Sequence, residues 1–234
     1  MAASFLLAGL VLLFAVPMAT VRETAIAPSP SSSAPGLLNG LRRSEIRIGI
    51  VMAIAFELGG RLAQALTGPF LVDAGLPLAT LGLLNGAGGV AAGLAGTAFG
   101  GALAHRFGAG RAMLAVACLN VLSLVALAGA IVLAPGHLFL LVSLFVIEGA
   151  VMAAGFVTSY ARLMALASPA QPGVDFTLFQ CASAIAAAVC GMAGAMLAAR
   201  TGYATTFALA AVLAAFVPPL LSLFERFLKK EVSL

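Results

Sequence analysis

Apolar residues follow one another along most of this chain, and the polar ones gather at a few joints. Residues 112–147, 176–199 and 201–224 contain no Asp, Glu, Lys or Arg. A helix crosses the hydrocarbon core of a bilayer in about 20 residues, so each stretch is long enough to span it. The pattern predicts seven helical spans, over residues 4–21, 48–72, 78–104, 112–134, 137–162, 174–199 and 203–225. Lipid offers no hydrogen bonds to a bare backbone, so the spans are expected as helices rather than open strands. The fold class predicted is an all-α membrane protein.

The joints carry turn chemistry. Asp73-Ala74-Gly75-Leu76-Pro77 divides the second and third spans, and Ala134-Pro135-Gly136-His137 the fourth and fifth. Ser168-Pro169-Ala170-Gln171-Pro172-Gly173 divides the fifth and sixth, and Arg200-Thr201-Gly202 the last two. Glycine ends helices through its free φ and proline through its missing N–H. A longer joint, residues 22–47, holds Ala27-Pro28-Ser29-Pro30-Ser31-Ser32-Ser33-Ala34-Pro35, a composition too rich in Pro and Ser to pack. It sets a lone span, 1–21, apart from six closely connected ones in 48–225, with a short tail at 226–234.

Charge then orients the bundle. Alternating the spans gathers Arg22, Arg42, Arg43, Arg47, Arg106, Arg111, Arg162, Arg226, Lys229 and Lys230 on one side. The other side holds Arg200 alone, and Arg61 lies within a span. Basic residues concentrate on the cytoplasmic face, which puts the linker and C-terminus inside and the N-terminus outside. Residues 1–21 also permit a signal-peptide reading, with Pro17-Met18-Ala19 as a cleavage site, but no positive n-region precedes them.

Composition agrees with a membrane class. Hydrophobic residues make up 62% of the chain and charged residues 9%, and the mean hydropathy is +1.15. Soluble domains carry about 25% charged residues. The net charge of +4 does not indicate nucleic acid, because the basic residues sit at joints and form no continuous patch. Cys118, Cys181 and Cys190 all fall in apolar spans without metal-ligand spacing and read as reduced, buried small hydrophobes. His105 and His137 fall in opposite loops and cannot share a metal. The chain holds no nucleophile–base motif, P-loop or clustered Cys/His, so neither enzyme chemistry nor a cofactor is expected.

Against so apolar a background the few charges within spans become candidates, because an ionisable group in a membrane is costly. Glu57 and Arg61 lie four residues apart in the favourable order for an ion pair, and Gln64 and Gly68 continue their face. The stripe either lines a cavity for a polar solute or a proton, or fixes helix packing. Glu148 has no charged neighbour in its span. It is a candidate for proton coupling, or an acid hydrogen-bonded to a neighbouring helix, and Gly149 beside it lets a ligand or backbone approach. Gln180 is a further cavity candidate. Asp175, at the start of a span, is placed to cap it. Asn85 and Asn120 read as interhelical hydrogen-bond partners. In the third span Gly82, Gly86, Gly89, Gly93, Gly96 and Gly100 fall on one helix face, which predicts either a close static packing seam or a sliding interface.

The loop Gly101-Ala102-Leu103-Ala104-His105-Arg106-Phe107-Gly108-Ala109-Gly110-Arg111 resembles the loop signature of the major facilitator superfamily, G-x-L-a-D-r-x-G-r. Gly101, Leu103, Arg106, Gly108 and Arg111 match, and His105 stands where the signature has Asp, so the signature's carboxylate contact does not carry over. The resemblance implies that residues 48–225 correspond to helices seven to twelve of such a transporter, the linker to its central loop and residues 4–21 to helix six, with helices one to five absent. Phe56-Glu57-Leu58-Gly59-Gly60-Arg61-Leu62-Ala63-Gln64-Ala65-Leu66, Pro69-Phe70-Leu71 and Leu81-Gly82-Leu83-Leu84-Asn85 resemble the AmpG-like permeases. Asp175-Phe176-Thr177-Leu178-Phe179-Gln180 resembles the RhtX/FptX siderophore permeases. These branches imply import of an iron-siderophore, a muropeptide or a similar polar solute across a bacterial inner membrane. They also imply a proton-coupled permease whose site needs a second half, from another polypeptide, a homodimer or a missing N-terminal sequence. The competing expectation is a non-transporting remnant or scaffold in the membrane.

Overall fold

The computed structural model describes residues 36–232, together with Gly9; the side chains of Asn39 and of residues 229–232 are outside that description. The expected first span and most of the linker therefore lie outside the described residues. The chain separates into two compact units, Met1–Ala34 and Pro35–Leu234, and all the helices α1–α9 below belong to the second.

These helices are α1 (Leu37–Arg42), α2 (Ser44–Asp73), α3 (Leu78–Leu83), α4 (Gly89–Phe107), α5 (Ala109–Leu133), α6 (Leu138–Leu166), α7 (Pro172–Thr201), α8 (Tyr203–Ala215) and α9 (Val217–Val232). A π-helical turn, Leu84–Gly88, joins α3 to α4 without a break. No strand occurs among the described residues. Leu78–Phe107, α5, α6, α7 and Tyr203–Leu228 are long and apolar enough to cross a membrane. Large apolar side chains stand uncovered around them, with Phe139 at 87% and Leu133 at 85% of full exposure. Lipid solvates such a surface and water does not. The protein is an all-α membrane protein.

Several boundaries differ from expectation for local reasons. The linker's end is helical, in α1 and in the first turn of α2. The expected span 48–72 is the core of α2, a helix of 30 residues that carries Glu57 and Arg61 within that span. The last span is divided at Phe216, and Pro218 and Pro219 occupy the first turn of α9, where their missing N–H groups cost nothing. From there α9 runs through most of the expected tail.

Glycine makes the joints that follow α2 and α4. At the end of α2, Gly75 has φ 95° while Leu76 N–H donates to the carbonyl of Leu71 and Gly75 N–H to that of Val72. This is a Schellman closure, and Leu76 tucks back against the core. Gly108, at φ 81°, is the only residue between α4 and α5.

The helices pair in a repeated pattern. α2 packs along α7 as α6 packs along α4; α2 packs on α8 as α6 packs on α5; and α2 meets α6 while α5 meets α8. The pattern is unchanged when the first three long segments are exchanged for the last three. Short connections make successive segments antiparallel, so the two three-helix units are inverted with respect to each other. α2 lies at the centre, with Ile46, Met52, Phe56, Leu62, Leu66 and Leu71 all buried. α4 and α7 form the flanks; of α4, only Gly96 and Gly100 are buried.

Ties at opposite ends hold the bundle. At one end Phe70 packs against Phe145, Tyr203 and Phe207, and the Tyr203 hydroxyl donates to Asp73 at 2.6 Å. At the other, Arg162 on α6 donates to Glu225 on α9 at 2.6 Å, and the Glu225 carboxylate lies against Gly110 at the start of α5. A Cβ at position 110 would lie 2.7 Å from that carboxylate, so a side chain there would push the Glu225 carboxylate aside. Asp175 does not cap α7. It is fully buried and accepts from Arg43 Nη1, Ser168 N–H and Gln171 Nε2, pinning α1 and the loop before α7 to the bundle.

Candidate functional site

The face of α2 that carries Glu57, Arg61 and Gln64 arises from helical periodicity alone, since residues three and four apart share a face. Arg61 Nε donates to Glu57 Oε2 at 2.5 Å and Nη1 to Gln64 Oε1 at 2.9 Å. The guanidinium also lies over the Phe156 ring on α6, 4.9 Å from its centroid. Glu57 is 3% exposed, so the pair is half sheathed in protein. Gly60, on the next turn, allows Met152 of α6 to press against the α2 backbone.

Beside this stripe a cavity of about 400 Å³ opens between α2, the π turn with α4, and α6. Gln64, Thr67, Asn85, Gly93, Glu148 and Phe156 are among the residues that line it. The cavity exists because α4 closes on α6 along only part of its length. A Cβ at Gly96 would run into the Ala150 carbonyl, and one at Gly100 would lie 2.6 Å from the Ala154 carbonyl. Towards the N-terminal end the helices part: Gly82, Gly86 and Gly93 have open space where a Cβ would stand, and Gly93 forms cavity wall. The expected six-glycine seam is thus a seam at two positions. The π turn shifts the helical register between Gly82 and the glycines of α4, which a strict spacing argument cannot foresee; Gly89 and Gly93, on the same side of that turn as Gly96, lie in the cavity wall where α4 has parted from α6.

Glu148 comes from the first turns of α6, about 15 Å from that helix's N-terminal end at 1.5 Å per residue. It is 3% exposed, and its Oε1 has no hydrogen-bond partner among the described residues. A buried polar atom left without a partner is costly in a bilayer protein and marks a place where a ligand, proton or water belongs. Arg61 is the charge that acts on it through space. Gly149, also in the wall, leaves room beside it.

The remaining candidates lie elsewhere. Gln180 on α7 is not among the cavity-lining residues; its Nε2 is buried without a partner among the described residues. Asn120 on α5 is buried and its Oδ1 likewise lacks one, so the interhelical hydrogen bond expected of it is not made among the described residues. Of the three cysteines expected to be buried, only Cys190 is; Cys118 and Cys181 are exposed. Asn85 sits in the π turn and faces the cavity. In the loop motif, Gly101 and Leu103 are half-buried near the end of α4, while His105, Arg106 and Arg111 are exposed around Gly108. Phe156, Thr67 and Met152 were not singled out by sequence; an apolar residue and a helical Thr carry no local mark of a cavity. No group of three or more His, Cys, Asp or Glu able to hold a metal occurs among the described residues.

No family model matches the sequence, and no curated protein matches it. Fold and site define the class: a multi-pass, all-α membrane protein with a cavity between its helices whose largely apolar wall carries a few polar side chains.

Proposed function

We propose that this chain moves a small polar solute across a bacterial inner membrane by alternating access, as the C-terminal six-helix half of a proton-coupled permease of the major facilitator superfamily. The observation that carries the reading is the cavity: about 400 Å³, lined by Gln64, Asn85 and Glu148, whose Oε1 has no partner among the described residues, in a protein whose outer surface suits lipid. A purely structural bundle has no use for a recess that brings polar side chains together between its helices.

Two further features support it. The exchangeable pairing of two inverted three-helix units is what the 3+3 repeat of such a half produces, and solutes in this fold bind between halves near the midplane. The uncovered faces of α4 and α7 supply a surface for the second half, from a matching polypeptide or a second copy. In this reading Glu57–Arg61–Gln64 holds the α2 wall in place, Glu148 carries the proton, and the basic loops, including Arg106 and Arg111, face the cytoplasm. An iron-siderophore or a muropeptide is the solute that the resemblance implies.

The test is uptake of a panel of labelled small polar solutes into membrane vesicles containing the chain together with a matching half. Saturable uptake above that of vesicles lacking the chain is expected for one class of solute. Uptake linear in concentration and equal in both for every solute would overturn transport and leave a membrane scaffold.

A further inference from the structure

The polar groups around the cavity differ in how much bonding capacity they have left. Thr67 spends its hydroxyl on the Ala63 carbonyl of its own helix. Gln64 Oε1 is taken by Arg61, which leaves the Gln64 amide nitrogen. Arg61 is not among the lining residues; two of its nitrogens are committed within α2, to Glu57 and Gln64, and its face is stacked on Phe156. Among the described residues, no Lys, Arg or His lines the cavity, and Glu148, with Oε1 unpartnered, is its single ionisable lining group. Counting Glu57, Arg61 and an ionised Glu148 together leaves one negative charge.

From this imbalance we infer that the cavity receives the ammonium group of a small organic cation, with Glu148 as its counter-charge. The inference deepens the transport reading and rests on it for the fate of the bound solute, though not for binding itself. An arriving ammonium supplies the donor that Glu148 Oε1 lacks, and an ion pair formed away from water is far stronger than one in solution. An anionic solute finds the opposite: its carboxylate or phosphate would face Glu148 with no cation in the wall to receive it. The acidic groups of muropeptides and of many ferric siderophores meet that obstacle. Leu84, Phe145, Met152 and Phe156 give the rest of the wall an apolar character, suited to a hydrocarbon or aryl body behind the charged end. At about 400 Å³ the space is towards the small end of ligand sites, which run from roughly 300 to 1,000 Å³.

Three probes of one shape and different charge test this: phenethylammonium, phenethyl alcohol and hydrocinnamate. Each is tritiated and equilibrated with the purified full chain in lipid nanodiscs. Saturable binding is expected for the ammonium, weaker binding for the alcohol and none for the carboxylate. Glu148→Gln keeps the side-chain shape and is expected to weaken the ammonium by about thirtyfold, as losing one partner of a buried charge pair does. Asn85→Lys places a cation at an exposed position in the cavity wall, which tolerates a longer side chain, and is expected to abolish ammonium binding. Carboxylate binding as tight as the ammonium's, or no saturable binding of any probe, would overturn the inference. So would Glu148→Gln and Asn85→Lys proteins, both monodisperse, that bind the ammonium within about threefold of the parent. Because no flux is measured, the two readings fail separately. Saturable vesicle uptake of an anion in place of the ammonium sinks the cation site and leaves transport standing; ammonium binding without any vesicle uptake does the reverse.

Discussion

Arg61 turns back along α2 to meet Glu57, Nε to Oε2 at 2.5 Å, one helical turn away. Glu57 is buried, whereas the Arg61 side chain keeps 29% of its exposure, so the two ends of the pair are unequally sheathed. Breaking such a pair leaves a charge with nothing to offset it, which costs more than replacing both members.

Glu57→Gln and Arg61→Gln are each expected to destabilise the folded chain by roughly 3 kcal/mol, with the double variant losing clearly less than the sum. Reversible unfolding in mixed detergent micelles measures this. Strict additivity of the two single losses would mean that the groups do not interact.

The glycines of the third span are expected to divide into two sets. Gly96→Val and Gly100→Val drive methyl groups into the α6 backbone at Ala150 and Ala154 and are expected to cost about 1–3 kcal/mol each or to prevent folding. Gly82→Ala and Gly93→Ala meet open space and are expected to be neutral or to stabilise by up to about 1 kcal/mol through helix propensity. Equal sensitivity at all four positions in the same unfolding assay would restore a continuous seam.

His105 and His137 are both exposed and lie at opposite ends of the bundle in the proposed topology. With the native cysteines replaced, His105→Cys is expected to react with a membrane-impermeant maleimide only after cell lysis, and His137→Cys in intact cells. The reverse pattern would invert the orientation drawn from the basic residues.

What could be read from the sequence was whatever chemistry acts locally. Charge-free runs gave the spans because a bilayer imposes one length on all of them. The Glu57–Arg61–Gln64 stripe was legible because positions three and four apart share a helix face. Features that depend on distant residues were not. Arg162 and Glu225 are 63 residues apart, and nothing in either neighbourhood names the other. Asp175 looked like a helix cap because it stands in a first turn, yet Arg43, at a distance of 132 residues, claims it. The glycine spacing was visible, but which of those glycines touch a neighbour depends on where α4 parts from α6, which leaves no mark in hydropathy. The apolar half of the cavity wall was hidden for a similar reason: Phe156 and Met152 look like any core residue until α4 parts from α6.

The most direct measurement of the proposed function is solute-driven proton movement. Vesicles containing the chain and its matching half, loaded with a pH-sensitive dye, are given a transported solute with no imposed gradient. A saturable internal pH change is expected in the parent protein and none in Glu148→Gln, while both variants appear in the membrane at equal amounts. A pH response in Glu148→Gln equal to the parent's, or saturable uptake with no proton movement in either, would contradict the role of Glu148 as the proton-carrying group of a permease.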